Sequence, residues 1–449
     1  MKFHKSKKNI LYGNIPEQIM LFTIPTFGSY LLQQLYQIVD SLVLGRFVGV
    51  EAMAAVGGSA TMVVNIVLNL ITGIATGVMV LVAHSYGKGD SDEVRRTVRT
   101  GMFVAIVLGG IISVLGICVS KPLLILMKCP QETLNDSVIY IYCYFAGIIF
   151  YTIYTIGNYI LRATGDSKIS LLFTIIIAAV KIILDSLLTA ILKLGVLGVG
   201  ISTFASYAVC GIVVLIILNN TPNTYHYSLK EFGYEKNILR NIFKIGIPIG
   251  IQSAVFAITS AYVSVRLNEQ GTNAIAAFSA YVNVDNFYWD FANALGAAIV
   301  TIAGQNYGNK NYQRVKEILK YGIIIDLIGT VITSVLIYIF APNALSMFTD
   351  NVDVINIATL MNRDAAIMYW AYIPIEMISS TLKGCGDSVN SMIIAIIGIC
   401  VIRFIYLTVI NFTSPLQITA CYPITWVICG TMYTLYYLFV ARKRLSQNN

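Results

Sequence analysis

Of the 449 residues, 57% are apolar and 12% charged, against about 25% charged in soluble domains, and mean hydropathy is +0.74. That apolar surface exceeds what a soluble core can use, so the composition excludes the ordinary soluble classes and places the chain in a membrane. A net charge of +8 would suggest a nucleic-acid partner in a soluble protein, but here the position of the charges gives a better account.

The basic, polar start MKFHKSKKN has no short apolar h-region or small-residue cleavage site, so no removable signal peptide is expected, and residues 1–18 read as a cytoplasmic tail. Twelve apolar segments follow, at 19–43, 53–82, 99–119, 137–161, 169–191, 196–218, 241–265, 274–303, 321–341, 357–382, 390–411 and 417–440. A helix needs about 20 residues to cross a bilayer. If all twelve cross, the tails and the loops after even segments, taken with Arg99 and Lys244 at the adjoining segment ends, carry 22 Lys and Arg, and the loops after odd segments, taken with Arg363 near the start of segment 10, carry six (Arg46, Lys121, Lys128, Lys193, Arg266, Arg363). Lys181 and Arg403 lie inside segments. The positive-inside rule then puts both termini and the even loops in the cytoplasm, as expected of a multi-pass plasma-membrane protein. The net charge is therefore topology, and no nucleic-acid partner is expected. Eight scattered cysteines without a CxxC pair, and three histidines without an HExxH, predict no disulfide, metal site, cofactor or enzyme activity.

The first segment contains IPTFGSYLLQQLYQIVDSLVLGR, from Ile24 to Arg46, with a carboxylate, Asp40, inside the apolar run. At 3.6 residues per turn Gln33, Gln37 and Asp40 share one face, with Tyr36 beside them. A carboxylate in a span is costly unless it binds a cation, a proton or a partner, which makes Asp40 a functional candidate. The competing structural reading is a neutral, hydrogen-bonded strut between helices.

The chain repeats itself. Ile24-Pro25 recurs as Ile247-Pro248, GVEAMAAVG from Gly49 as GTNAIAAFS from Gly271, AHSYGKG from Ala83 as GQNYGNK from Gly304, and LRATGDS from Leu161 as LKGCGDS from Leu382, at offsets of 223, 222, 221 and 221. The fold class predicted is all-α and polytopic, with twelve transmembrane helices in two six-helix bundles, 19–218 and 241–440. A cytoplasmic linker over 219–240 joins the bundles, and a cytoplasmic tail over 441–449 ends the chain. Six crossings return each half to the same side, so the repeats are parallel, related by an axis along the membrane normal. The shared residues have structural explanations. Pro25 and Pro248 kink helices. Gly87 and Gly308 suit left-handed helix ends. Arg162 or Lys383 sits at a helix C-terminus, Gly165 or Gly386 turns the chain, and Asp166 or Asp387 caps the next helix.

Charges outside the repeat are sharper clues. At the Asp40 offset the second half has Tyr262 or Val263. Segment 5 places Lys181 and Asp185 at i and i+4 on one face, able to pair with each other or with Asp40, and Arg403 corresponds to Lys181 at an offset of 222. Segment 8 holds Asp285, Trp289 and Asp290, with Asn286 and Asn293 nearby; segment 10 carries Glu376. Two carboxylates at mid-membrane depth suit an aqueous cavity. Asp326 in segment 9, near a segment end, reads as a side chain that reaches the surface. Tyr144, Tyr151, Tyr154 and Tyr288 are candidates for stacking on a planar cation, with ordinary packing as the alternative.

LYQIVDSLVLGRFVGVEAMAAVG, LVAHSYGKGD, LRATGDS with its counterpart, and AGQNYG together resemble the multidrug and toxic compound extrusion family, closest to the DinF-like branch, over about 20–440. The resemblance implies two six-helix bundles around a central cleft, working by alternating access. It also implies export of small organic cations or drugs in exchange for protons or sodium, with the first-helix acid, here Asp40, as coupling residue. In segment 5 the family commonly has an Asn four residues before an Asp; this chain matches the Asp at Asp185 but has Lys181 for the Asn. Asn158 and Thr203 match other polar positions of that cation site. An amide oxygen ligates sodium, whereas an ammonium only donates and repels. The departure makes protons the expected coupling ion, with sodium the lesser candidate. Gln33, Tyr36, Gln37, Asp285, Trp289, Asp290, Glu376 and Arg403 are the substrate-cleft candidates, and a monomer is expected. The alternatives are an exporter of anionic substrates attracted by Lys181, a flippase for lipid-linked saccharides, for which Arg403 is the one obvious cavity arginine, and a receptor that transports nothing.

Overall fold

The computed structural model describes residues 7–49, 56, 60–127, 129–222 and 224–447, excluding the side chains of 7–9, 37, 40–44, 46, 190 and 447. The described residues form helices and no strands. After a short helix, Lys7–Tyr12, come twelve long ones. They are α1 (Ile15–Phe47), α2 (Thr61–Lys88), α3 (Ser91–Leu126), α4 (Gln131–Ala163), α5 (Ser167–Asp185, extended by a π-turn, Ser186–Ile191) and α6 (Gly195–Asn220). The second set comprises α7 (Lys236–Asn268), α8 (Thr272–Gly308) and α9 (Tyr312–Leu345). In α10, Val352–Met368 and Ile373–Gly384 flank a 3-10 turn; in α11, Ser388–Ala395 and Ile402–Val409 flank a π-turn; and α12 is Pro415–Thr419 followed by Cys421–Tyr436. Nine described helices are long and apolar enough to cross a membrane, and α1, α8 and the interrupted α10 complete the twelve. Pro374 accounts for the break in α10: it lies in the first turn of the restarted helix, where its missing N–H costs nothing.

Lipid-facing surface is legible in α9, where Ile324, Leu327, Ile328, Val331, Ile332 and Val335 are all exposed. Their backbone groups are satisfied inside the helix, the condition for lying in hydrocarbon.

Close contacts divide the chain into residues 28–250 and residues 1–27 with 251–449. Within 28–250, α4 packs against α3 and α6, and Val64, Ile71, Ile141, Phe145 and Ile148 lie in its apolar core. Four glycines, Gly73, Gly77, Gly246 and Gly250, make a close helix crossing. A Cβ on Gly73 would stand 2.3 Å from Gly250 N, and one on Gly77 2.6 Å from Ile242 O. Small residues four apart on both helices permit this approach of α2 to the first half of α7. The linker after α6 is latched to the start of α3. Arg95 hydrogen-bonds Glu231, Arg96 Nε is 3.6 Å from Glu235, and Arg99 Nη2 is 3.8 Å from it. Thr100 Oγ1 accepts from the Glu235 amide at 3.1 Å, and Phe103 packs on Phe232 and Tyr234.

Within the second unit, α8 packs against α9 and both parts of α10, around Leu295, Ile299, Ile318, Met361 and Met377. Ile10, Ile15 and Ile19 join that core, and Asn306 and Arg314 donate to the Ile10 carbonyl. These contacts explain why residues up to 27 belong with the C-terminal half.

The repeat extends to backbone conformation with one correction. Gly165 (φ 107°) and Gly386 (φ 84°) turn the chain as expected, but the left-handed residues after α2 and α8 are Gly89 (φ 78°) and Lys310 (φ 59°). Gly87 and Gly308 are still helical; each helix runs on before turning. Nor does the Asp387 side chain cap its helix. Asp387 instead accepts from Asn390 and Tyr436 at 2.7 Å and pairs with Arg444 at 3.4 Å. Of the GVEAMAAVG copy, residues 50–55 and 57 lie outside the described residues.

Candidate functional site

The helical spacing of Lys181 and Asp185 puts both on the face of α5 that meets α6. Lys181 Nζ donates to Asp185 Oδ2 and to Thr203 Oγ1, each at 3.2 Å. Ser202 donates to the other carboxylate oxygen of Asp185. Lys181 is 6% exposed and Asp185 0%, which makes this a buried ion pair. Such a pair recovers its desolvation cost only when hydrogen bonds satisfy the remaining oxygens and protons. The two α6 hydroxyls supply them, while the π-turn begins immediately after Asp185.

Asp40 and Gln37 lie on α1 with side chains outside the described residues. Tyr36 is buried and Gln33 exposed. Asn158 accepts from Ser170 Oγ at 2.7 Å. Ser170 precedes Lys181 by three turns of α5, about 16 Å, so Asn158 joins a separate polar contact. The tyrosines of α4 pack among themselves. Tyr144 hydrogen-bonds Tyr207 at 3.0 Å, Tyr151 meets the Tyr207 ring edge-on, and Tyr154 meets Phe173.

In the second unit Asp285 is 6% exposed and held by neutral donors: Trp289 Nε1 at 2.6 Å, and the hydroxyls of Tyr369 and Tyr281. The Tyr369 ring stacks on Tyr288 with centroids 3.8 Å apart. Asp290 is half-buried. Glu376 accepts from Ser380 at 3.1 Å and from Tyr372 at 3.4 Å. Gly296 on α8 makes its space, since a Cβ there would stand 1.9 Å from Glu376 Oε1. Arg403 is 4% exposed; its Nη2 is 3.5 Å from Thr425 Oγ1, and its guanidinium lies 4.4 Å from the centre of the Tyr422 ring.

Asp326 corrects the sequence reading. Instead of reaching the surface it is 0% exposed, with Thr330 Oγ1 3.5 Å from Oδ1 and no hydrogen-bond partner for Oδ2. The face of α9 that it shares with Gly322 and Thr330 turns inward. Sequence reasoning also passed over Ser202, Tyr281 and Tyr369. Ser202 had a signal in the Ser-Thr pair beside Thr203. Tyr281 is one turn before Asp285. Tyr369 reaches Asp285 only across helices, at the 3-10 turn, and had no local signal.

Comparison with known proteins gives concordant results. The MatE family model matches residues 25–187 and 248–409, the two halves of the repeat. The probable multidrug resistance protein YoeA of Bacillus subtilis is 26% identical over 437 residues, covering 94% of each chain. The Thermotoga maritima probable multidrug resistance protein NorM is 23% identical, covering 90% of this chain and 88% of the relative. Among solved structures, an outward-facing multidrug resistance MATE family transporter superposes with a TM-score of 0.89 at 21% identity, covering all of both chains.

Proposed function

Because this chain belongs to the MatE family, matched in both halves, we propose that it is a secondary active exporter of small organic compounds, mainly cations, working by alternating access with protons as coupling ion. The relatives it resembles are described as probable multidrug resistance proteins. The observation that carries the proton reading is the Lys181 ammonium, 3.2 Å from both Asp185 and Thr203. It already supplies a positive charge there, and an ammonium offers sodium no ligand. Asp40 is then the group that exchanges the proton. Protonation shifts the balance between inward- and outward-open forms only by its different affinity for the two. Aromatic walls and carboxylates such as Asp285 suit the organic cation. On this reading both termini are cytoplasmic and the protein acts as a monomer in the plasma membrane.

Proteoliposomes test the reading. With an imposed proton gradient, a fluorescent organic cation is expected to move against its own gradient, and Asp40→Asn to stop it. Uptake driven by a sodium gradient at fixed pH, with no response to a proton gradient, overturns proton coupling. A second reading, an anionic substrate drawn to Lys181, predicts that Lys181→Asn reverses the preference for substrate charge.

A further inference from the structure

The two halves differ where the fourth and sixth helix of each meet. In the first half Gly200 on α6 lies against Cys143 on α4: a Cβ at 200 would stand 2.8 Å from Cys143 Cβ, so a small residue is what lets the two helices touch there. At the offset of 222 that matches Thr203 to Thr425, Gly200 becomes Tyr422 and Cys143 becomes Ala365. A phenol ring in place of a hydrogen atom keeps the start of the Cys421–Tyr436 helix from closing on α10. A groove of about 600 Å³ opens between them, with Tyr281 of α8 as a further wall.

The lining is mostly apolar, and Ile367, Ile424, Val427 and Ile428 are exposed along it. Its one charged residue is Asp364. The neighbouring base does not neutralise it: Arg363 Nε donates to the Tyr338 carbonyl at 3.2 Å, and the guanidinium lies 5.0 Å from the centre of the Tyr338 ring. Among the described residues Asp364 has no hydrogen-bond or ion-pair partner. Arg403 lies on Tyr422, 4.4 Å from the ring centre, and does not line the groove. The charge that an occupant meets directly is therefore negative. We propose that the groove binds a single-tailed amphiphilic cation, its quaternary ammonium head against Asp364 and its tail along Ile367, Ile424 and Ile428. The tyrosine rings suit such a head, and Met361 and Met368 adapt to an irregular tail. Apolar surroundings strengthen the attraction of a carboxylate for a cation over its value in water. Neither Asp40, Asp185 nor Asp285 lines this groove. The inference concerns binding alone and holds whatever ion drives transport, so its failure leaves the exporter reading untouched.

The test uses the purified full-length chain in a maltoside detergent at fixed ionic strength and neutral pH. The probe is bromoundecyltrimethylammonium, whose bromine quenches tryptophan at close range; Trp426 lies 6.1 Å from Tyr422, ring centre to ring centre. Saturable quenching is expected. Bromoundecanoate, with a like tail and the opposite charge, is expected to give only the unsaturable quenching of a probe dissolved in the micelle. Asp364→Asn should weaken binding of the cation about fivefold, the upper range for an exposed ion pair, and Asp364→Glu should retain most of it. Asp364 is exposed, so both variants should keep the parent's size-exclusion profile and Tm. Ala365→Leu fills the groove beside Tyr422 with the carboxylate in place and should give an independent loss. Saturable quenching by bromoundecanoate equal to that by the cation, or undiminished binding of the cation in folded Asp364→Asn, overturns the site. Displacement of the probe by tetramethylammonium at matched concentration overturns the amphiphile in favour of a bare ammonium.

Discussion

Lys181 Nζ lies 3.2 Å from Thr203 Oγ1, and 222 positions later Arg403 Nη2 lies 3.5 Å from Thr425 Oγ1. A base on the fifth helix of each half thus meets a threonine on the sixth, which makes the contact part of the duplicated scaffold. The acid is not duplicated: Asp185 has Leu407 as its counterpart. One half carries a neutralised pair and the other, among the described residues, a base without an ion-pair partner, so the two halves present different chemistry at equivalent points of one frame.

Removing one member of the first pair is expected to cost more than removing both. Lys181→Met leaves Asp185, 0% exposed, as a buried charge without its cation, a loss of about 3–5 kcal/mol. Lys181→Met with Asp185→Leu removes both charges and should recover most of it. Thermal unfolding of the three proteins in detergent decides the matter: a double variant no more stable than the single would show that the charges are not compensating each other.

Gly296 should be coupled to Glu376. A Cβ at 296 meets Glu376 Oε1 at 1.9 Å and Ser380 Oγ at 2.9 Å, so Gly296→Ala must displace the end of a flexible side chain, at about 1–3 kcal/mol. Shortening that side chain removes the closer of the two contacts and leaves only the Ser380 hydroxyl, a rotatable group, to give way. A double-mutant cycle with Glu376→Ala should therefore show a coupling of about 0.5–3 kcal/mol, whereas strict additivity would mean that Glu376 moves aside freely.

Much of this architecture is legible in the sequence because a bilayer demands continuous apolar spans, and because the duplication fixes equivalent positions through pairs such as Pro25 and Pro248. Lys181 with Asp185 was legible for the same reason, since i and i+4 meet on any helix. The α6 partner Thr203 entered only through family resemblance, and Ser202 had just a local hint. Tyr369 and Asp326 were harder. The contact of Tyr369 with Asp285 depends on where a 3-10 turn interrupts α10. The burial of Asp326 depends on which face of α9 turns inward, which its place in the apolar run does not reveal. Gly87 misled because the glycine two residues on, Gly89, takes the left-handed turn.

The linker latch lies outside the spans and should respond to pH and salt. The Arg95 hydrogen bond holds the Glu231 carboxyl below its ordinary value of 4.5. A depressed carboxylate adds stability above the unfolded pKa and loses it as pH falls through the folded one. The latch should thus be unchanged from pH 8 to 5 and loosen only below about pH 4. Because these pairs are exposed, molar salt at neutral pH should also weaken them. Hydrogen exchange of residues 229–235 is the readout, and loosening already at pH 6 would point to another titrating group.

The glycine crossing of α2 and α7 is expected to be the least tolerant point of the scaffold. A Cβ on Gly73 would stand 2.3 Å from Gly250 N and 2.5 Å from its Cα. Both are backbone atoms, so no rotamer change relieves the clash and the helices must part. Overpacking of this kind costs about 1–3 kcal/mol and sometimes more, against a gain of up to about 1 kcal/mol from replacing Gly by Ala in a helix. Gly110 on α3 supplies the control, because its nearest neighbour, Ile149 Cδ1, is 4.0 Å from the added atom. Gly73→Ala should therefore lower Tm while Gly110→Ala leaves it unchanged or raises it. Equal Tm values for the two would mean that α2 and α7 separate without loss, and that their close approach contributes nothing to stability.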